Sequence, residues 1–124
     1  MKRALILFAH GARDPRWAEP FLRLQQIVQA REPDVTVSLA FLEFMIPRLP
    51  ELMQQLVQEG CAEVTVVPVF FGQGGHVLRD LPVMIDQLRI DYPNVSLNAV
   101  PAVGESAEVL NAIGEYCVST LSGR

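Results

Sequence analysis

Ala4–Ala9 (ALILFA) runs without interruption into His10-Gly11-Ala12-Arg13-Asp14-Pro15, and this stretch decides the fold. Six consecutive apolar residues are too few for an independent helix and fit a strand buried on both faces. Asp14 then offers a helix N-cap, and Pro15 suits the first helical position, where a missing N–H costs nothing. Trp17, Phe21, Leu24 and Val28 follow at helical spacing. The pattern recurs later, where Val64–Phe71 (VTVVPVFF) leads into Gly72-Gln73-Gly74-Gly75-His76. The chain's two histidines therefore each follow an apolar strand.

Outward from these stretches, strand and helix alternate along the whole chain. The expected strands are 4–9, 35–42, about 63–71 and about 95–100. The second helix opens at Pro47 and Pro50, buries Leu49, Leu52, Met53 and Leu56, and stops at Gly60. Asp80 is expected to cap a third helix carrying Leu81, Ile85 and Leu88, ended by Tyr92-Pro93-Asn94. Glu105 or Ser106 begins a fourth, with Leu110, Ile113, Cys117 and Leu121 facing inward. Such alternation implies an α/β fold: a three-layer α/β/α domain around a four-stranded parallel sheet. Strands one and three are nearly continuous apolar runs and belong at the centre, whereas strands two and four alternate with Thr36, Ser38, Ser96 and Asn98 and suit the edges. The expected order is 2-1-3-4. Pro68 lacks the N–H a central strand uses, so pairing should end or bulge there. With strands one and three adjacent, His10 and His76 emerge side by side at the carboxyl edge of the sheet, where open α/β sheets bind ligands.

Size and composition narrow the classes. The 124 residues fit a single domain, 1–124, and half of them are hydrophobic. No apolar run approaches the ~20 residues that span a bilayer. The basic start Met1-Lys2-Arg3 before an apolar run mimics a signal peptide, but His10, Arg13, Asp14 and Arg16 stand where a cleavage site belongs. Cys61 and Cys117 lie in no metal-type spacing and sit among apolar residues, which implies buried, reduced thiols and a cytoplasmic protein. A net charge of −4 argues against nucleic acid or an anionic membrane as partner.

Glu43 directly follows the second strand and shares the histidines' edge. Two imidazoles and a carboxylate suit a divalent transition metal, and serve equally as a proton relay. Any one alone is more often structural, but three at successive strand ends point to a site. The loop Gly72-Gln73-Gly74-Gly75 lets the backbone approach a ligand closely. It matches neither the Walker loop nor the dinucleotide fingerprint, so no nucleotide is expected. Arg13, Arg16 and Arg79 flank the histidine loops and could hold ligand carboxylates, or pair with Asp14 and Asp80. Phe41, Phe44, Met45, Phe70, Phe71 and Leu78 lie near the same edge, mostly as core, with some available as walls of a flat cavity.

Taken together, His10–Arg16, Ala40–Glu43, Val67–Phe71 and Gly74–Pro82 resemble the short CbiX-type sirohydrochlorin chelatases, single-domain relatives of the class II tetrapyrrole chelatases. The resemblance runs in order through essentially the whole chain. It implies a flavodoxin-like chelatase half-domain that inserts cobalt or iron, with Ni²⁺ as a surrogate, into a sirohydrochlorin-type ring without a nucleotide. His10 and His76 match the family's metal-binding and proton-handling histidines, and Glu43 its acidic site residue. Arg13, Arg16, Gly74, Gly75 and Arg79 would contact the tetrapyrrole. Ala12 stands where the family usually has serine, and Gly75 where a lysine often precedes the histidine. A tetrapyrrole is large beside 124 residues, so a homodimer closing around one ring is implied. Metal or tetrapyrrole carriage without turnover is the alternative. A receiver-like domain ranks last, because the acidic cluster it needs after strand one is replaced by His10-Gly11-Ala12.

Overall fold

The computed structural model describes residues 2–72 and 75–121, with the side chains of 75–78 outside the description. Four parallel strands form one sheet: β1 (Lys2–Ala9), β2 (Val35–Phe41), β3 (Cys61–Pro68) and β4 (Ser96–Ala99), in the order β2-β1-β3-β4. The order read from strand polarity is the order observed. β3 begins and ends earlier than expected, at Cys61 and Pro68 rather than near 63 and 71. The proline explains the early end. Val69 donates to the Phe8 carbonyl at 2.7 Å, so alternation turns the Pro68 nitrogen toward β4. There the ladder has already stopped, at Val66 opposite Ala99. A central strand thus accommodates a residue with no N–H at its last position.

A 3₁₀ turn (Pro15–Ala18) capped by Asp14 leads into α1 (Glu19–Arg31). Trp17 lies in that turn rather than in the α-helix, and stacks on Phe21 with ring centroids 4.5 Å apart. α1 covers β2 and β1 on one face, over Leu7, Ala9, Val35, Val37, Leu39 and Phe41. The other face carries α2 (Leu49–Gln58) and α3 (Gly75–Asp91) over a larger core that includes Ile6, Phe8, Val64 and Val66. The four α2 residues expected to be inward, Leu49, Leu52, Met53 and Leu56, are its buried residues. Gly60 adopts φ +89° just past the helix end, a left-handed turn that suits glycine.

Both sheet edges are closed by side chains. Gln25 donates to the Val37 carbonyl and Gln29 to the Val35 carbonyl, while Val37 N–H donates to Gln29 Oε1. At the opposite edge Arg89 donates twice to the Leu97 carbonyl. These bonds satisfy groups that would otherwise invite a further strand.

Two expectations are corrected. Asp80 does not cap the third helix: α3 begins at Gly75 and continues through Asp80 and Pro82. A proline inside a helix forgoes its own N–H bond and crowds the carbonyl one turn back, and the burial of Leu81, Ile85 and Leu88 holds the helix through it. α4 (Ala107–Ser119) starts at the expected cap, with Ser106 Oγ accepting from Val109 N–H. Its apolar residues do not face inward, however: Leu110, Ile113 and Leu121 are exposed, and so is the thiol of Cys117, expected to be buried. Helical periodicity establishes that a helix has an apolar face without saying what that face meets. Among the described residues, no helix is long and apolar enough to cross a membrane.

Candidate metal and ligand site at the carboxyl edge

The β1–β2 ladder continues beyond both strands. Leu42 N–H donates to the Ala9 carbonyl at 2.9 Å, and Glu43 N–H to the His10 carbonyl at 3.0 Å. These two rungs carry the residues after β1 and β2 forward as a pair. His10 Nε2 consequently lies 3.3 Å from Glu43 Oε2, each side chain a little under half exposed. Two donors bound to one small divalent ion at ~2.1 Å stand about 3.0–3.4 Å apart for bond angles of 90–109°. The spacing therefore suits one ion shared by both groups. It also suits a proton passed between imidazole and carboxylate. Among the described residues no group of three or more His, Cys, Asp or Glu side chains gathers to hold a metal.

Gly11 makes the close approach possible. Its φ is +94°, and a Cβ at this position would collide with the Glu43 carbonyl. Gly11→Ala should therefore push the Glu43 backbone outward and strain its own φ, at a cost of roughly 1–3 kcal/mol. Thermal unfolding would register the loss. An alanine variant with unchanged melting would contradict the assigned contact.

The segment after Glu43 turns sharply. Phe44 has φ +68°, a left-handed value uncommon outside glycine, and the Ile46–Pro47 peptide is cis. Phe41 N–H donates to the Pro47 carbonyl, which folds the turn back on β2. The Arg13 guanidinium lies over the Phe44 ring, 4.8 Å from its centre, a cation–π contact that orients the charge beside the site. Phe44, Ile46 and Phe71 are exposed, Ile46 by 88%. With them the edge presents an apolar rim flanked by a cation.

The other site residues differ in what surrounds them. Arg16 is engaged by Asp14 through Nε and Nη2, the shorter contact being 2.8 Å. Hydrogen bonds from Arg16, side chain first and then backbone, hold the Asp14 carboxyl below its ordinary range. Asp14 in turn raises the Arg16 guanidinium above its own. Arg79 is exposed on α3 and is engaged by another residue. Gly75 begins α3 and His76 lies in its first turn, so this histidine belongs to a helix rather than a loop. The His76 side chain, Gln73 and Gly74 lie outside the described residues. β3 pairs directly with β1, so the segments after both strands leave the sheet at neighbouring points of one edge.

Two features of this edge had no advance signal. The Arg13–Phe44 stacking depends on the left-handed Phe44 backbone, which nothing in the local sequence announces. An apolar cleft of about 400 Å³ also lies beside β3 and β4, bordered by Pro68, Phe70, Leu81, Arg89 and Ala102. Of the aromatics named near the edge, Phe70 contributes to this cleft while Phe41 is buried.

Comparison with known proteins adds four findings. The CbiX family model matches residues 4–119. A sirohydrochlorin cobaltochelatase of Methanocaldococcus jannaschii is 34% identical over 79 residues, covering 64% of this chain and 55% of that protein. The match thus spans little more than half of the relative's length. Among solved structures, a CbiX protein from Marinobacter aquaeolei VT8 superposes with a TM-score of 0.85 at 27% identity, covering 98% of this chain and 99% of that one. The sirohydrochlorin chelatase SirB from Bacillus subtilis subspecies spizizenii, in complex with cobalt, superposes at 0.80 with 22% identity over 51% of its length, a likeness of fold.

Proposed function

The chain belongs to the CbiX family, and from that premise we propose that it inserts a divalent metal ion, cobalt or iron, into a sirohydrochlorin-type tetrapyrrole without a nucleotide. The observation that carries the proposal is the His10–Glu43 pair, 3.3 Å apart beside an apolar rim. Metal and free-base ring are both substrates. His10 holds the hydrated ion at the edge through Nε2, and His76, in the first turn of α3, supplies a second imidazole. The ring lies against Phe44, Ile46 and Phe71, and its carboxylates meet Arg13, Arg79 and the backbone at Gly74 and Gly75. Arg16 joins them only by sharing its guanidinium with Asp14.

Charge and protons balance simply. The dication enters as two pyrrole N–H bonds give up their protons, leaving a neutral metal–ring core. Glu43, beside the imidazole, accepts the first proton and releases it to water before the second departs. Bending the ring against the rim exposes nitrogen lone pairs, and strain of ~1–5 kcal/mol is within what binding energy sustains. Residues 1–124 act as one chelatase half-domain, and two copies face one another across the ring as a homodimer in the cytoplasm.

The test is anaerobic mixing of the full chain, Co²⁺ and free-base sirohydrochlorin, followed by visible absorption. Catalysed conversion to the metallated spectrum is expected, with Fe²⁺ and Ni²⁺ as comparisons. Saturable Co²⁺ binding with insertion no faster than in buffer would overturn the enzyme in favour of a carrier.

A further inference from the structure

Phe44 is poorly placed for a residue that serves only the fold. Its φ of +68° lies in the left-handed region, which glycine enters freely and a bulky side chain does not. The strain brings the ring no burial, since Phe44 remains more than half exposed. What the ring does meet is a cation: the Arg13 guanidinium stands over it, 4.8 Å from its centre. Backbone strain persists where the surroundings impose it, and it gathers at sites that hold ligands.

Both partners are fixed from the main chain. Glu43 N–H donates to the His10 carbonyl and Phe41 N–H to the Pro47 carbonyl, so the backbone on either side of Phe44 is pinned. Gly11 lies against the Glu43 carbonyl at one end of the Arg13 segment, and Asp14 caps the 3₁₀ turn at the other. Two anchored loops thus bring Arg13 and Phe44 together. The arginines near this edge differ in what remains of their charge. Arg16 is paired with Asp14, and Arg79 is engaged by another residue. Arg13 makes no hydrogen bond or ion pair among the described residues. Its contact with the ring draws on the positive charge and leaves the five N–H donors of the guanidinium for an oxygen ligand. A long side chain free to sample rotamers must be ordered by whatever binds it, whereas one already held over a ring loses less freedom.

We propose that Phe44 is a positioning residue: it holds the Arg13 guanidinium where a rim carboxylate of the macrocycle is gripped, and so favours polycarboxylated rings. The proposal rests on the functional reading above, and concerns how the ring is held rather than how the metal enters it.

The experiment titrates free-base sirohydrochlorin into the full chain and its variants, without metal, and follows visible absorption. Arg13→Ala should weaken ring binding by about 10–100-fold, as expected for loss of a charge-assisted pair. Phe44→Leu keeps an apolar side chain at the rim, yet should weaken binding about tenfold and flatten its dependence on ionic strength. Phe44→Tyr, which retains the ring face, should bind within about twofold of the parent. The double variant Arg13→Ala/Phe44→Leu should bind no more than about threefold worse than Arg13→Ala, because Phe44 then has nothing left to position. In the free parent, ring current should displace the Arg13 Cδ proton resonances upfield, and Phe44→Leu should abolish the displacement. A Phe44→Leu loss that persists undiminished in the Arg13→Ala background means Phe44 grips the macrocycle by itself, and overturns the proposal. So does a Phe44→Leu variant with the parent's affinity and salt dependence. A parent chain that binds no ring overturns the functional reading and the positioning role together, whereas one that binds the ring without inserting cobalt overturns the enzyme alone.

Discussion

In the His10→Ala variant, cobalt insertion into free-base sirohydrochlorin should slow by about 10²–10⁴-fold, the range over which a positioned acid–base group acts. His10 brings a nitrogen donor against Glu43, whereas Arg13 lies over Phe44 and Arg16 is held by Asp14. Removing the imidazole deletes the ion's anchor beside the carboxylate. Glu43→Gln separates the roles, since the amide keeps an oxygen for the ion but accepts no proton. Its Co²⁺ affinity should fall less than its insertion rate. His10→Ala turning over at the parent rate would remove His10 from the mechanism.

The Phe8→Ala variant should lose about 3–5 kcal/mol of stability, a large part of the 5–15 kcal/mol typical of a whole domain. Phe8 is fully buried at the centre of the sheet, and its ring meets Phe70 edge-on at 6.3 Å. On either side lie strands bonded to its own, so the surrounding backbone has little freedom to collapse into the space left behind. The melting temperature should drop on the order of 10–20 °C. Urea unfolding is the check, and a change below ~1 kcal/mol would mean the core closes over the deletion. Phe8 is two residues from His10, so the variant should lose metal affinity wherever it loses native sheet.

How far these arguments were available from the sequence differs by element. Strand order was legible because burial on two faces leaves a different composition from burial on one: ALILFA against an alternation such as VTVSLAF. The pairing of His10 with Glu43 was legible for the same reason, since adjacent strands deliver the residues after them to one edge. The start of α3 was not, because Asp80 and Pro82 imitate a helix opening although the helix is already under way from Gly75. The surroundings of α4 were hidden for a different reason. Leu110, Ile113, Cys117 and Leu121 encode an apolar face in full, but the body it meets depends on the direction set by Gly104 and Ser106. Arg16 illustrates a third limit: the sequence offered it both a ligand and Asp14, and proximity of two residues selected Asp14.

The two main-chain rungs beyond β1 and β2 carry one further implication. Gathering scattered ligands normally charges its entropy to the binding event. Here imidazole and carboxylate are drawn into register by the same zippering that completes the sheet, so the proposed grip exists before any ion arrives. Heat should therefore release a captured metal in the same cooperative melting that parts the strands, with no earlier stage in which an intact fold stands beside loosened jaws.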